Sequence, residues 1–272
     1  MPEEFVGLSP DNVKLIQNKV KTGKYTLSPF PLKVFSSKEK APKNTYFIHI
    51  NIDKSTVYGC LYPILEDHIV ITALGHLLNS RLISLNIPHS LSFGYNQYPS
   101  SYFAHILSSI KIPVSRLYKI NMLHSLFKIN KESLLTMLEP IVLSSDIMQL
   151  IKSILYMPIT LYGEEVDFLN DFITPSGYFT TVLLNLYLNQ LDIKFNLQFP
   201  SYSYARYNEE IIVTTSKNNL LFENSLYSLF DDLNMTGNII SVSPGDDPIT
   251  STYGGVFRVC TDGIVQITSK MK

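Results

Sequence analysis

The sequence predicts an α+β fold in which an antiparallel sheet packs on helices. The chain has 272 residues, of which 45% are hydrophobic and only 17% are charged, enough apolar material for a sizeable core. Stretches with apolar residues at helical spacing are interspersed with stretches in which apolar and polar residues alternate. No apolar run approaches the roughly 20 residues that a membrane-spanning helix needs. We therefore expect a globular protein with no membrane span.

The individual elements follow from local patterns. Residues 8–24 predict a helix, because Ser9-Pro10-Asp11 supplies a cap and first turn before apolar residues at helical spacing. Residues 46–50 and 57–62 alternate and predict two paired strands. Asp67 is expected to cap a helix that runs to about Leu85. Apolar residues on one face predict a helix over 144–157. We also expect helices over 100–110, 178–192 and 219–232, and the family resemblance carried by the following segments implies a strand–turn–strand hairpin over 203–215.

That hairpin contains the most distinctive segment of the chain, Ala-Arg-Tyr-Asn-Glu-Glu-Ile-Ile-Val at 205–213. Upstream lie the turn Thr-Pro-Ser-Gly at 174–177 and the helical segment Leu-Leu-Asn-Leu-Tyr-Leu-Asn-Gln-Leu-Asp at 183–192. Together these resemble the reverse transcriptases encoded by group II introns, the maturase family. There, a Pro-Gln-Gly turn leads into a similar helix and then into a hairpin reading Arg-Tyr-Ala-Asp-Asp.

The resemblance extends along nearly the whole chain in the family's order. Further matching segments are 23–35, 62–74, 92–95, 120–135 and 253–259. The resemblance implies reverse-transcriptase-like fingers over residues 1–115 and a palm over residues 116–272. Because the last matching segment ends at Val259, 13 residues before Lys272, we expect the family's helical thumb to be missing from this chain.

The resemblance also places three residues at the family's catalytic positions. Asn121 stands where the first palm strand carries an Asp, and Glu209 and Glu210 stand where the hairpin carries two. Such carboxylates hold two Mg²⁺ ions for nucleotidyl transfer, and Mg²⁺ requires nearly ideal octahedral geometry. An amide carries no charge and Glu is one methylene longer than Asp. We therefore predict that these positions are vestigial, that the chain is not an enzyme, and that it holds no metal or cofactor.

Two readings of the glutamate pair stay open: a solvated turn without a ligand, which we prefer, and a residual cation site. Cys60 and Cys260 have no partner at CxxC spacing, and the six histidines show no metal-binding spacing, so no zinc centre is expected. The aromatic stretch 195–204 could stack on bases, but packing in the core is the expected role.

The net charge of −1 argues against a large nucleic-acid footprint, although one basic face remains compatible with it. Lysines are concentrated near the N-terminus, and we take them as candidate RNA-binding residues. They are Lys14, Lys19, Lys21, Lys24, Lys33, Lys38, Lys40 and Lys43.

Composition indicates the compartment. Trp is absent and Arg occurs only at 81, 116, 206 and 258, a bias that fits an AT-rich organellar genome. The N-terminus has neither a signal-peptide nor a transit-peptide pattern, so a mitochondrial protein could be encoded in the organelle.

The function expected from these observations is that of a structural subunit of an organellar ribonucleoprotein, with the mitochondrial ribosome as first candidate. Its partners would be other protein subunits and RNA, ribosomal RNA first. The alternatives are a degenerate maturase that assists group II intron splicing, a structural subunit of another organellar complex, and an active polymerase that uses the two glutamates with Mn²⁺.

Overall fold

The computed structural model describes most of the chain and divides it into two compact units. The described residues are 18, 27–35, 48–52, 55–61, 63–87, 92–93, 99–110, 112–122, 129–165, 177–217 and 221–269. The first unit comprises Met1–Leu78 and Leu138–Thr180, and the second comprises Asn79–Met137 and Thr181–Lys272. The predicted boundary near residue 115 between a fingers-like and a palm-like region stays a prediction.

The first unit is built around a five-stranded sheet in the order β2-β3-β1-β6-β7. Its strands are β1 Phe30–Phe35, β2 Ile48–Ile52, β3 Ser55–Leu61, β6 Ile159–Leu161 and β7 Glu164–Glu165. Strands β2 and β3 pair antiparallel, which confirms the predicted pair of strands in this part of the chain. Strand β1 pairs antiparallel with β3 and parallel with β6, so the sheet is mixed.

Two helices meet closely within the first unit. Helix α1 spans Leu65–Ser84 and helix α5 begins at Tyr178. A Cβ atom added at Gly75 would lie 3.0 Å from the backbone of Phe179, and the rings of His76 and Tyr178 are 4.2 Å apart. A side chain at Gly75 would force the neighbouring backbone to shift by a few tenths of an ångström, so glycine suits this approach.

The predicted helix over 144–157 is also confirmed, as α4 Ser145–Leu155. The Ser144 side chain accepts a hydrogen bond from the Ile147 amide at 3.4 Å, and Ile151, Ile154 and Leu155 are buried. The helix therefore forms around the apolar face that the sequence indicated, and the structure adds an N-cap at Ser144.

The second unit contains the predicted hairpin in a five-stranded sheet of order β10-β5-β9-β8-β4. Its strands are β4 Ser92–Phe93, β5 Arg116–Asn121, β8 Ser203–Tyr207, β9 Glu210–Thr215 and β10 Asn238–Val242. Strands β10, β5, β9 and β8 pair antiparallel, as predicted, whereas β4 at the edge pairs parallel with β8. A three-stranded antiparallel sheet follows, formed by β11 Ile249–Thr250, β12 Gly255–Val259 and β13 Val265–Ser269.

Three of the remaining helices correspond to the predicted helices over 100–110, 178–192 and 219–232, and the fourth overlaps the matched segment 120–135. They are α2 Pro99–Ser109, α3 Lys131–Leu138, α5 Tyr178–Gln198 and α6 Phe222–Asp232. Helix α5 continues six residues past the predicted end at 192, to Gln198. The fold is therefore α+β with an antiparallel sheet and helices, as the sequence predicted.

The core of the second unit joins both of its sheets to helix α2. Its buried side chains come from α2, the hairpin strands and the three-stranded sheet, and include Tyr102, Tyr207, Ile212 and Phe257. The aromatic stretch 195–204 packs as expected: Phe195 is buried, and the ring of Tyr202 stacks on Phe222 at 4.3 Å. These rings serve the protein interior, which confirms the packing interpretation of that stretch.

Some predictions need correction or cannot be compared. Helix α1 begins at Leu65, so Asp67 lies in its first turn and does not cap it; its side chain accepts a hydrogen bond from the Ser28 amide at 2.9 Å. The predicted helix over 8–24 lies outside the described residues except for Asn18, which is helical. Within the described ranges, no helix combines the length and apolar character that crossing a membrane would require.

Candidate functional site

The three positions matched to catalytic carboxylates come together in the second unit. Strands β8 and β9 are joined by a two-residue turn, Asn208-Glu209, closed by the pair Tyr207 and Glu210. Asn208 has φ +50°, a conformation that Asn tolerates better than most residues. On the other side of β9, Glu210 pairs with Asn121 at the end of β5. The resemblance and the sheet register thus agree on the site.

Both glutamates are buried, with Glu209 only 7% exposed and Glu210 0%. The preferred reading of this pair as a solvated turn is therefore wrong. The physical reason is a second turn, Ser251–Gly254, which contacts the hairpin carboxylates. We call this segment the 251–254 turn. Because it lies more than 40 residues further along the chain, local pattern could not reveal it.

Each oxygen of the Glu210 carboxylate accepts a hydrogen bond from the 251–254 turn. The Ser251 hydroxyl donates to Oε1 at 2.6 Å, and the Thr252 backbone amide donates to Oε2 at 2.7 Å. The Lys119 Nζ lies 3.6 Å from Oε2 and donates to the Thr250 carbonyl at 2.6 Å. The negative charge of Glu210 is thus compensated by a cation and two donors, as a buried carboxylate requires.

Glu209 is held by the same turn through an aromatic hydroxyl. The Tyr253 hydroxyl donates to Glu209 Oε2 at 2.8 Å, and the Asn208 side-chain amide donates to that hydroxyl at 3.3 Å. Burial raises the pKa of Glu209, and neighbouring Glu210 adds to the rise, against the opposing effect of the Tyr253 hydrogen bond. Burial and the charge of Glu210 likewise raise the pKa of Tyr102 well above its usual value.

A buried ion pair that sequence reasoning missed anchors the hairpin. Arg206 and Asp192 are both fully buried, and Arg206 Nη2 lies 2.6 Å from Asp192 Oδ2. Arg206 Nη1 also donates to Asn185 Oδ1 at 2.7 Å and to the Asn208 carbonyl at 2.9 Å. Tyr204 donates a further hydrogen bond to Asp192. The guanidinium therefore ties the hairpin turn to helix α5.

Burial alone would lower the pKa of Arg206, but Asp192 raises it on balance, so the guanidinium stays charged. A signal for this pair was present in the sequence. Asp192 is the last residue of the matched segment 183–192, and Arg206 is the second residue of the matched segment 205–213. The separation of the two residues along the chain gives no reason to expect a contact, so the signal was not recognised.

The other predicted site residues are mostly not placed. Lys14, Lys19, Lys21, Lys24, Lys38, Lys40 and Lys43 lie outside the described residues. Lys33 lies in β1, where it pairs with Cys60 of β3. Cys260, at the end of β12, is a partly buried free thiol.

The arrangement at the hairpin does not fit a magnesium pair. Asn121 is neutral, and the carboxylate oxygens of Glu210 face the donors of the 251–254 turn and Lys119. Within the part of the chain that the structure describes, no group of three or more His, Cys, Asp or Glu side chains is placed to hold a metal ion. The chemistry visible here is charge-assisted hydrogen bonding within the chain.

No protein-family model and no curated protein matches this sequence. Solved structures do match. An apo telomerase from Candida tropicalis, truncated from its C-terminal domain, is similar at 13% identity and TM-score 0.56, covering 95% of this chain and 60% of that one. A telomerase from Candida albicans in complex with a TWJ fragment of telomeric RNA has 12% identity and TM-score 0.58, covering 95% and 50%. The RNA-dependent RNA polymerase of bacteriophage phi12 has 9% identity and TM-score 0.54, covering 95% and 48%.

These likenesses show a reverse-transcriptase-like polymerase fold, as predicted. This chain spans between 48% and 60% of the length of the matched structures. The prediction that the chain is not an enzyme is contradicted, because these neighbours are telomerases and an RNA polymerase. That prediction rested on residue types at positions matched to the family, chiefly Asn121, Glu209 and Glu210. Glu209 and Glu210 lie on the hairpin, and Glu210 pairs with Asn121 of β5.

Proposed function

We propose that this chain binds RNA as a subunit of an organellar ribonucleoprotein, and that the mitochondrial ribosome is the first particle to test. The proposal is supported by the fold, which the chain shares with a telomerase solved in complex with a fragment of telomeric RNA. The composition bias towards residues of AT-rich codons supports an organellar setting.

The observation that carries the proposal is the internal neutralisation of the hairpin. Two exposed carboxylates on a nucleic-acid-binding surface would repel phosphates, whose contacts supply much of RNA affinity. Here Glu210 is fully buried against Lys119 and the 251–254 turn. Glu209 is also buried, and one of its oxygens accepts a hydrogen bond from Tyr253. Because both carboxylates are buried, they would repel the phosphates of a bound RNA less than exposed carboxylates would.

The RNA contacts are assigned to the N-terminal lysines. The eight candidates Lys14, Lys19, Lys21, Lys24, Lys33, Lys38, Lys40 and Lys43 fall within thirty residues of a chain whose net charge is −1. Such local basic density provides the electrostatic attraction that RNA binding needs, while the remainder of the protein is available for protein contacts.

The test is sedimentation of the native protein from gently lysed organelles, with and without RNase. We expect co-sedimentation with a ribosomal subunit and a shift to smaller particles after RNase treatment. A small, RNase-insensitive species would overturn the proposal, and co-sedimentation with another RNA-containing particle would replace the ribosome by that particle.

A matched pair of variants tests the RNA-facing residues. Lys14→Gln with Lys19→Gln removes two positive charges from the lysine-rich segment. Lys152→Gln with Lys194→Gln removes the same charge from exposed helix positions. We expect the first pair to weaken ultraviolet crosslinking to RNA several-fold and the second pair to leave it unchanged. Equal effects would mean that the lysine-rich segment has no special role.

A second candidate is assistance to group II intron splicing, as in the maturase family. It is favoured by the order of the matched segments and by the hairpin at 203–215, which forms as the resemblance implied. Depletion distinguishes the two roles: loss of splicing of one intron before any loss of translation supports the maturase, and the reverse order supports the ribosome.

A third candidate, template-directed nucleotide addition, is favoured by the polymerase fold itself. Primer extension by purified protein in Mg²⁺ or Mn²⁺ tests it, with Glu210→Gln as the control that should abolish any product. Extension that survives this substitution would come from a contaminating polymerase.

A further inference from the structure

The 251–254 turn donates hydrogen bonds to both oxygens of Glu210 and to one oxygen of Glu209, and these are atoms that a cation at the hairpin would use. We propose that this turn is an intrachain latch, which competes with divalent cations for the carboxylates of Glu209 and Glu210. In the structure the turn contacts both carboxylates, and we call this the latched form. The proposal is independent of whether the chain binds RNA.

Hydrogen bonds within the 251–254 turn stabilise its conformation. The Ser251 amide donates to the Gly255 carbonyl at 2.7 Å, and the Ser251 hydroxyl accepts from the Tyr253 amide at 3.0 Å while it donates to Glu210. Gly254 has φ +89°, which a residue with a side chain rarely adopts, and its amide donates to the Ser251 carbonyl at 3.3 Å. These hydrogen bonds within the turn stabilise the conformation in which its donors face the carboxylates.

The latch uses different groups for the two carboxylates. Glu210 receives one hydrogen bond on each oxygen, from the Ser251 hydroxyl and the Thr252 amide. Glu209 receives a hydrogen bond from the Tyr253 hydroxyl. A divalent cation binds carboxylates through the same oxygens, so the donors of the turn compete with a cation for them.

Aromatic side chains also pack against the 251–254 turn and the residue that follows it. The rings of Tyr207 and Tyr253 are 4.4 Å apart, and a Cβ atom added at Gly255 would lie 2.7 Å from Phe103 Cζ. Phe103 in turn contacts Phe257 with ring centroids 5.7 Å apart. The turn is thus held by the strand that follows it, and single hydroxyl groups can be removed without removing this packing.

The test measures cation binding by wild-type protein and by the double variant Ser251→Ala with Tyr253→Phe. Tb³⁺ is the first probe, because tyrosine excites its luminescence and the chain contains no Trp to compete. Mn²⁺ followed by electron paramagnetic resonance is the second probe. We expect the double variant to bind both ions at least tenfold more tightly than wild type, since fewer donors compete for the carboxylates.

Three controls make the outcome specific. Tyr227→Phe with Ser228→Ala deletes the same two hydroxyl groups from exposed positions of α6 and should leave affinity unchanged. Glu210→Gln added to the latch variant should abolish the gain. Tyr253→Phe alone, which retains the ring against Tyr207, should give a smaller gain in a protein whose circular dichroism matches wild type.

Equal affinity of wild type and both latch variants would overturn the proposal, as would a gain that survives Glu210→Gln. If the double variant does not fold, the folded Tyr253→Phe variant decides between a gain and no gain.

Discussion

Arg206 and Asp192 form a bidentate ion pair with no exposure to solvent, although helix α5 and strand β8 bring them from positions 14 residues apart. Arg206 Nε lies 2.9 Å from Asp192 Oδ1 and Nη2 lies 2.6 Å from Oδ2. Fork-to-carboxylate geometry of this kind is the strong form of the interaction. Since Arg206 also donates to the Asn208 carbonyl, the pair holds the turn that presents the two glutamates.

Asp192→Asn should therefore destabilise the protein by about 3–5 kcal/mol, because it leaves the Arg206 charge buried without compensation. Urea unfolding followed by circular dichroism measures the loss. Asp231→Asn at an exposed position of α6 is the control and should change stability by less than about 0.5 kcal/mol. Replacing both partners, with Asp192→Leu and Arg206→Met, should cost less than Asp192→Asn. A larger cost for the double variant would contradict this account.

Gly255→Ala should destabilise the second unit by about 1–3 kcal/mol, because its Cβ atom would lie 2.7 Å from Phe103 Cζ. Phe103→Leu, which shortens the opposing side chain, should recover part of the loss in the double variant. The free energies of unfolding of the two single variants and the double variant give the coupling. Gly254→Ala is the comparison for backbone strain alone: it has φ +89° and no atom near its added Cβ, so Phe103→Leu should not rescue it. Rescue of both variants would refute the steric explanation.

The raised pKa of Glu209 predicts a specific pH dependence of the free energy of unfolding. Its pKa is raised in the folded protein, chiefly by burial, so the folded state binds the proton more tightly than the unfolded state does. The stabilising contribution is complete below the unfolded pKa of about 4.3 and is lost as pH rises through the folded pKa. Glu209→Gln should reduce the fall in the free energy of unfolding over this window. Denaturant titrations at a series of pH values from about 4 upward measure the effect, and an unchanged slope would count against it.

Tyr162→Asn should stabilise the hairpin of β6 and β7 by up to about 1 kcal/mol. Tyr162 has φ +54° and is 94% exposed, so its side chain adds strain to the turn without visible packing. Asn tolerates this conformation better, and Gly163, with φ +92°, already occupies the next position. Thermal unfolding of the purified protein measures the gain. Tyr162→Val should have the opposite effect because β-branched residues tolerate positive φ poorly, and stabilisation by Val would disprove the strain argument.

Local pattern was sufficient for most of the fold. The resemblance of the 205–213 segment to the family's palm hairpin predicted the hairpin at 203–215, which the structure forms as β8 and β9. Helical spacing of apolar residues predicted α4 nearly to its ends. Such features depend on residues a few positions apart, so each short segment carries the information for its own backbone. The order of the segments then indicated a reverse-transcriptase-like polymerase fold.

The environment of the site could not be obtained in this way. Glu209 and Glu210 were expected in solvent because a pair of charged residues in a turn is usually exposed, and the structure buries both. Their donors, Ser251, Thr252 and Tyr253, lie 41, 42 and 44 residues from the groups they bind. Contacts at such separation arise only when separate elements pack together. The sequence alone was therefore sufficient to assign which residues occupy the hairpin turn. Tertiary packing decided that the two carboxylates are buried, which donors hold them and how their charge is compensated.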